Sequence, residues 1–559
     1  MEDFLLDVRK PGRYINHEWN AVRKDPAGAK LKFCLVFPDI YEIGMSHLGM
    51  KILYGLLNEE EDVFCDRVFS PWPDYSQELK TRKISLKSLE ADLELKKFDL
   101  LGFSLQYEMG YTNILDILKL SDIPFKAIER TDADPVVIAG GVSIINPEPI
   151  ADLFDAIVIG EAEEVILEIT QVFRSYSSRD KILTALSDIE GVYVPVLYKG
   201  PEKIKKRFIR DFDKAYYPVK QIVPNISIIH DRVALEVMRG CPNSCRFCQA
   251  RSSYYPVRTR KAENILKLAK AAIAQTGYEE VSLVSLSTSQ HPEIIKLLKT
   301  MTEEFKNTGV NLSLPSLRIG DVLKDFPAIL KTLKKAGLTF AVEAASERLR
   351  SIIGKKVDFN ALENAALSAF QNGWQRIKLY FMIGLPGETE KDLGTIIETA
   401  NQLSGLRKKV ASKAAHVNVS VANFVPKSHT PFQWEEFTSP AVLKKRQEFI
   451  QSQKRPNKVK LKFHDIEISY LEAVFSRGDR KLSSVLIRAY ELGAGFDSWG
   501  EHFKPAVWKQ AFQDCGIDPD SYIVKRDNYD EALPWDHIDC GVKREYLVKE
   551  SKIARKLID

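Results

Sequence analysis

Apolar positions along the chain fall into two long stretches of strand–helix alternation, separated by a polar and basic segment. In the first stretch, strand-like runs occupy 32–37, 99–104, 135–139 and 156–159, with a weaker one at 63–69. Helical periodicity fills the gaps, as at 45–57 and 111–120. This βα alternation predicts a parallel, doubly wound sheet. Ligands on such sheets bind beyond the carboxyl ends of the strands. The loops there (38–49, 106–112, 140–149 and 160–164) are glycine-rich and polar, as a binding edge requires and as any strand-to-helix turn also requires.

From 232 to 425 the alternation resumes, with strands expected to start near Val233, Glu280, Asn311, Thr339, Arg376 and His416. Six βα units fall short of the usual closed eight-stranded barrel and predict an open, partial one. Its site residues belong at the carboxyl ends of the strands. After 440 the pattern changes: helical runs at 442–453, 470–476 and 480–492 lead into an aromatic, turn-rich tail. The fold class expected is α/β, in the order N-terminal extension 1–30, Rossmann-like doubly wound domain 31–175, linker or hairpin 176–230, partial (βα)6 barrel 231–435, and a small C-terminal domain 436–559 packed on the barrel.

Composition narrows the function classes. The 559 residues suffice for three or four domains, and 45% hydrophobic with 28% charged residues excludes disorder as the main state. A net charge of +4 does not announce nucleic acid in bulk. Local basic patches do exist: 201–214 (PEKIKKRFIRDFDK) holds six Lys/Arg, and 454–463 (KRPNKVKLKF) holds another group. The first reads as a solvated hairpin or as a nucleic-acid contact. No long apolar run suggests a membrane span, and the acidic start MEDFLLDVRKPGRY is unlike a signal peptide. The expectation is a cytoplasmic protein without membrane contact.

Seven cysteines are too few and too scattered for a disulfide framework. Three of them, Cys241, Cys245 and Cys248, fall within ALEVMRGCPNSCRFCQAR, immediately after a predicted strand. Thiolates are soft ligands for zinc or iron–sulfur clusters. A structural zinc site closes with four ligands, and here only three are local, although His230 or His291 could complete one. Three thiolates on a four-iron cluster leave one iron open, as a catalytic centre needs.

CxxxCxxC after the first strand of a six-unit βα barrel resembles the radical S-adenosylmethionine (radical SAM) superfamily. The resemblance implies a 4Fe-4S cluster on Cys241, Cys245 and Cys248 as both catalytic and metal-binding centre. It further implies S-adenosylmethionine on the open iron, reductive cleavage to a 5′-deoxyadenosyl radical, and an electron donor such as flavodoxin or ferredoxin. By the same resemblance, Phe247 stands near the adenine. Ser287 and Thr288, in SLVSLSTSQ, occupy the place of an amino-group-binding motif that this chain lacks. Glu343 and Ser346, in TFAVEAASERLR, meet the ribose and carboxylate. Ile383–Gly384, at the start of the Gly-Leu-Pro-Gly-Glu turn, lies against the adenine. Arg348, Glu388, Thr389 and His429 have structural readings as good as functional ones: ion pairing, helix capping and burial.

AGGVSIINPEPIADLFDAIVIGEAEEVILEI (139–169) resembles the cobalamin-binding-type domain that precedes many radical SAM barrels. With the tail motif LPWDHIDCGV, the resemblance spans nearly the whole chain and points to an uncharacterised family of cobalamin-domain radical SAM proteins. Domains that ligate cobalt through histidine carry Asp-x-His-x-x-Gly. Here PDIYEIGMSHLGM offers His47 but has Met at positions 45 and 50, which leaves histidine ligation unsupported. Cobalamin bound without a protein ligand, a vestigial scaffold and a substrate-binding sheet all remain open. If cobalamin binds, methyl transfer to an unactivated carbon is the expected reaction. Sulfur insertion, as in RNA methylthiolating relatives, is the alternative; RNA or a translation component is one candidate substrate class, and no pattern in the sequence names the molecule. The extra cysteine triad of those relatives is missing, with only Cys34 and Cys65 in the N-terminal domain. In the tail, Cys515 and Cys540 with His502 and His537 do not make an auxiliary cluster, while Asp536 and His537 beside Trp535 are candidates for substrate contact. A non-catalytic cobalamin- or cluster-binding or RNA-associated protein, and a zinc scaffold, are the competing classes.

Overall fold

The computed structural model describes residues 3–314, 338–454 and 458–558. Its first sheet comprises β1 (Leu31–Phe37), β2 (Val63–Phe69), β3 (Leu100–Ser104), β4 (Val136–Gly140), β5 (Ala156–Val158) and β6 (Val192–Tyr193) in the order β2-β1-β3-β4-β5-β6. All neighbours are parallel except β5 and β6. The strands read as nearly continuous apolar runs because helices cover both faces. Strand order reverses between β1 and β3, so the crevice beyond their carboxyl ends is the expected ligand position.

The linker contributes β7 (Ile204–Lys205), which pairs with β17 (Ile538–Asp539) of the tail. Two cations of the basic segment around β7 are used internally, while Lys203, Lys205, Arg210 and Lys214 are exposed. Lys206 Nζ donates to the carbonyls of Ser252 (2.7 Å), Ser253 (3.2 Å) and Tyr255 (2.7 Å). Arg207 pairs with Glu168 at 2.7 Å.

The barrel follows. Its first part is β8 (Val233–Glu236), β11 (Glu280–Val284) and β12 (Asn311–Ser313), in the order β12-β11-β8. The short strands β9 (Met238–Arg239) and β10 (Arg258–Thr259) pair antiparallel beside it. Its second part is β13 (Leu338–Glu343), β14 (Arg376–Ile383), β15 (His416–Asn423) and β16 (Val459–Phe463), parallel throughout. All six expected strands are present. A seventh, β16, extends the sheet from within the basic stretch 454–463. Its alternation VKLKF buries Val459 and exposes Lys460 and Lys462, as a strand with one packed face does.

The C-terminal helices do more than cover the barrel. Helix Leu482–Glu491 buries Leu482, Val485, Leu486 and Ala489 and also meets the N-terminal domain, where Tyr490 Oη donates to Asp116 at 3.0 Å. The last helix, Arg544–Ile558, packs on helix Glu347–Ile352, and its Glu550 pairs with Arg246 of the cysteine loop at 2.9 Å. No described helix is long and apolar enough to cross a membrane.

Candidate functional site

The cysteine loop starts where β9 ends, at Gly240. Glycine is required here: φ is +89°, and a Cβ would stand 2.8 Å from the Tyr254 carbonyl oxygen. Cys241, Cys245 and Cys248 follow as half-buried free thiols. Arg246, between them, anchors the loop by donating to the carbonyls of Ser351 and Ile352, both at 2.8 Å. Phe247 packs against an apolar cluster that includes Ile352, Leu385 and Phe432.

The three thiols sense one another. Burial pushes Cys245 up to about 11, with Cys248 and Cys241 adding to the rise and Lys355 opposing it. Burial likewise raises Cys248. Metal ligation needs thiolates, so loading this loop releases protons. Lys355 is the nearby cation that favours the charged form. Among the described residues no three His, Cys, Asp or Glu side chains are grouped to hold a single ion. The donor set fits a cluster: three soft sulfurs on one loop, one of them (Cys241 Sγ) accepting from Asn243 Nδ2 at 3.3 Å. Hydrogen bonds of this kind tune a cluster's potential.

The structure places the companion residues as follows. Glu343 ends β13 at φ +67° beside a register shift in the β13–β14 ladder, and it is half-buried. Burial raises its pKa against the pull of Lys355, 3.5 Å away. Ser287 Oγ donates to Gln290 Oε1 at 2.8 Å, and the same oxygen accepts from Asn243 at 2.7 Å, so the loop after β11 touches the cysteine loop. Thr288 is turned inward onto Ser285 at 2.8 Å.

Ser346 caps helix Glu347–Ile352 and donates to Asp392. Arg348 pairs with Asp392 at 2.6 Å. Ile383 is fully buried. Gly384, at φ +83°, donates its N–H to Glu388 Oε2 at 2.8 Å and accepts from Thr438 Oγ1 at 3.1 Å. Thr389 caps the following helix with a reciprocal Asp392 contact, whereas Glu388 turns back to Gly384 and Arg446 (2.7 Å).

Other sequence candidates are engaged in contacts within the fold. His429, buried and held down to about 4 by desolvation, points Nε2 at the Ile145 carbonyl, 3.2 Å away. Asp536 pairs with Arg544, and His537 lies 3.3 Å from Glu148. His291 bonds to the Arg260 carbonyl at 2.8 Å. Asn243, Gln290 and Lys355 are the site residues that sequence reading missed. Asn243 lies within the cysteine motif, where spacing alone does not show that it bonds Cys241 Sγ, whereas Gln290 and Lys355 reach the loop only through the fold.

A cavity of about 530 Å³ opens between the two sheets. The N-terminal sheet lines it with His47, Gln106, Gly141 and Glu163 from the loops at its carboxyl edge, and the barrel lines it with Arg232, Ala234, Glu236, Arg239 and Ser282. Its size is that of an organic-cofactor site. His47 is engaged there: Nδ1 accepts from Met50 N at 3.3 Å, capping helix Leu48–Glu59. Burial holds it down to about 4, and a hydrogen bond with Gln106 opposes the drop. Arg239, two residues before Cys241, forms the cavity's link to the cysteine loop, pairing with Glu161 (3.1 Å), Glu163 (2.8 Å) and Glu236 (2.8 Å).

Comparison with known proteins matches this architecture. Residues 49–195 match the family described as radical SAM proteins, N-terminal, and residues 235–400 match the radical SAM superfamily. The uncharacterized protein MJ0966 of Methanocaldococcus jannaschii is 30% identical over 81% of this chain and 90% of its own length. The putative methylthiotransferase MJ0865 of the same organism is 22% identical over 66% of this chain and 74% of its own. Among solved structures, the radical S-adenosylmethionine methyltransferase TsrM from Kitasatospora setae, with cobalamin and a [4Fe-4S] cluster bound, superposes with a TM-score of 0.56 at 13% identity, covering 86% of this chain and 99% of that one. With its cysteine loop at the mouth of a partial barrel and a doubly wound sheet ahead of it, this chain belongs to the radical SAM superfamily.

Proposed function

We propose that the protein is a cobalamin-dependent radical SAM methyltransferase acting on an unactivated carbon. Bound here, a 4Fe-4S cluster would supply the electron that cleaves S-adenosylmethionine to methionine and a 5′-deoxyadenosyl radical, and cobalamin would supply a methyl carrier. One observation carries the reading: the cavity runs from the crevice of the N-terminal sheet to Arg239, two residues from the cluster loop.

Cys241, Cys245 and Cys248 would hold the iron, and Lys355 would offset the charge of their thiolates. Glu343 stands at the barrel mouth, where it can bind the cationic end of S-adenosylmethionine. Asn243 and Gln290 orient the loop. Cobalamin would lie against the loops at Gly140–Gly141 and Gly160, which line the cavity and are glycine because a Cβ would meet the Leu105 carbonyl oxygen at 2.1 Å (Gly141) or the Arg207 carbonyl oxygen at 2.2 Å (Gly160). With Nδ1 accepting from Met50 N, the neutral His47 ring carries its proton on Nε2, so neither nitrogen would offer cobalt a free lone pair. An electron donor such as flavodoxin or ferredoxin supplies the reducing equivalent. Sulfur insertion draws less support, because Cys34 and Cys65 are buried in the sheet and Cys540 in the tail, leaving no second group of three.

The test is anaerobic reconstitution followed by S-adenosylmethionine and a strong reductant, with mass spectrometry for 5′-deoxyadenosine and absorbance for bound cobalamin. Release of 5′-deoxyadenosine that vanishes in a Cys241→Ala/Cys245→Ala/Cys248→Ala variant, with cobalamin retained through gel filtration, supports the proposal. A cluster-loaded protein that neither binds nor cleaves S-adenosylmethionine overturns it.

A further inference from the structure

The two parts of the barrel treat charge in opposite ways. In the first part, the acids on the strands are matched: Glu236 pairs with Arg239 at 2.8 Å and Glu280 with Arg232 at 3.0 Å. In the second part, one face of the sheet carries cations. The apolar set Ile377, Leu379, Val417, Val419 and Val459 is buried in the core with Ile396, Leu403 and Leu443 of the covering helices. Alternation therefore turns Arg376, Lys378, Lys460 and Lys462 to the opposite, concave face.

Register sets their arrangement. Lys378 and Lys460 flank Asn418 from the two neighbouring strands, and Lys462 stands across Ser420 from Tyr380. Strand spacing puts the two columns about 10 Å apart, with about 7 Å between successive cations in a column. Lys378 Nζ lies 4.5 Å from the Tyr380 ring centroid, so an aromatic ring shares the face. None of the four cations has an acidic partner among the described residues, and unpaired clustered cations repel unless an anion joins them. The positive surface continues to the amino ends of the strands. There His416 is held below its ordinary value by desolvation and by Lys458, Arg376, Lys460 and Arg407 around it. Exposed Lys408, Lys409 and Lys413 extend it outward.

A single phosphate or carboxylate would satisfy one or two of these groups. A track of this length, with an aromatic ring between its charges and columns too close for a duplex, matches an extended chain of regularly spaced anions bearing flat rings. We propose that the concave face of β14–β16 binds a single-stranded phosphodiester backbone and leads it toward the cysteine loop. The substrate of the radical chemistry proposed above, on which this inference rests, is then a nucleic acid.

The test measures fluorescence anisotropy of labelled RNA and DNA strands of about 15 nucleotides on the full-length, cluster-loaded protein. Competitors are polyglutamate and inorganic phosphate. A Lys378→Gln/Lys460→Gln/Lys462→Gln variant should bind at least tenfold more weakly, with a salt slope shallower by about 2. The corresponding triple Lys→Arg variant should restore binding. Circular dichroism of both variants separates misfolding from lost contacts. Equal affinity of a folded Gln variant and the wild type, or polyglutamate displacing the strands as well as unlabelled oligonucleotide does, overturns the inference. RNA binding tighter than DNA binding assigns the backbone to RNA, and the reverse assigns it to DNA. Because these readouts need no turnover, failure here leaves the 5′-deoxyadenosine result to judge the radical reading alone.

Discussion

Arg239 Nη2 lies 2.8 Å from Glu163 of the N-terminal sheet, which makes the residue two places before Cys241 an ionic tie between the two halves of the cofactor region. Glu161 and Glu236 complete its surroundings, and Arg258 shares Glu161 at 2.6 Å. All of these side chains are largely buried. Replacing Arg239 by Met would leave three carboxylates buried around a missing cation, a loss of about 3–5 kcal/mol. The expected outcome is a lower urea midpoint and a cluster more readily lost on gel filtration. Arg239→Lys, which keeps a charge but not the forked geometry, should fall between the two. Unchanged stability and iron content in Arg239→Met would show that the tie is dispensable.

Gly240 is the hinge of the loop. Its φ of +89° disfavours any other residue, and the Tyr254 and Pro256 carbonyl oxygens stand 2.8 and 3.0 Å from where a Cβ would be. Gly240→Ala should cost about 1–3 kcal/mol of local strain, displacing Cys241 relative to Cys245 and Cys248. Reduced iron per chain after reconstitution, with circular dichroism unchanged, is the expected reading. Full iron loading in Gly240→Ala would mean that the loop tolerates another course.

How much of this was legible in the sequence depends on whether an element followed one pattern. The barrel strands after Val233, Arg376 and His416 were readable because one face of each is apolar and the other polar. Val63–Phe69 looked weak because both of its faces are buried, with Asp66 and Arg67 inside. Asp66 accepts from Glu90 N and Ala91 N, and Arg67 pairs with Glu90 at 2.6 Å, partners more than 20 residues away that no local window shows. β16 was hidden by its lysines, whose charge drew attention away from a period-two pattern. The thiols were legible because their spacing is local. Gln290 and Lys355 were not, because they come to the cysteine loop only through the fold, and Asn243, though inside the motif, carries no spacing signal for its bond to Cys241.

Glu388 provides a pH-dependent reading of the turn after β14. Burial raises its carboxyl from 4.5 to about 7, outweighing Arg446 and the Gly384 N–H, both of which favour the charged form. The folded state thus binds this proton more tightly than the unfolded chain does. Its contribution to stability is complete below about 4.5 and is lost as pH rises through about 7, a change of at most about 3 kcal/mol. Glu388→Gln keeps an acceptor for Gly384 N–H and removes the titration. The difference in unfolding midpoint between wild type and variant should therefore shift in the variant's favour from pH 5 to pH 8. A difference that stays constant with pH would place the carboxyl near its ordinary value.

His47 tests how the cofactor cavity works. Its Nδ1 is committed to Met50 N, and Gln106 hydrogen-bonds its side chain, so a cobalt ion could recruit the ring only by breaking these contacts. Burial already holds the ring neutral down to about pH 4, so no protonation change occurs between pH 5 and 8 to alter its bonding. Asparagine at this position can still cap helix Leu48–Glu59, because its side-chain oxygen also accepts from a backbone N–H. His47→Asn should therefore retain bound cobalamin, with an absorption spectrum matching the wild type across that pH range. A variant that binds cobalamin with a shifted spectrum would show the imidazole on the metal. That outcome would mean the loop rearranges on binding, giving up a helix cap worth about 1 kcal/mol for a cobalt–nitrogen bond.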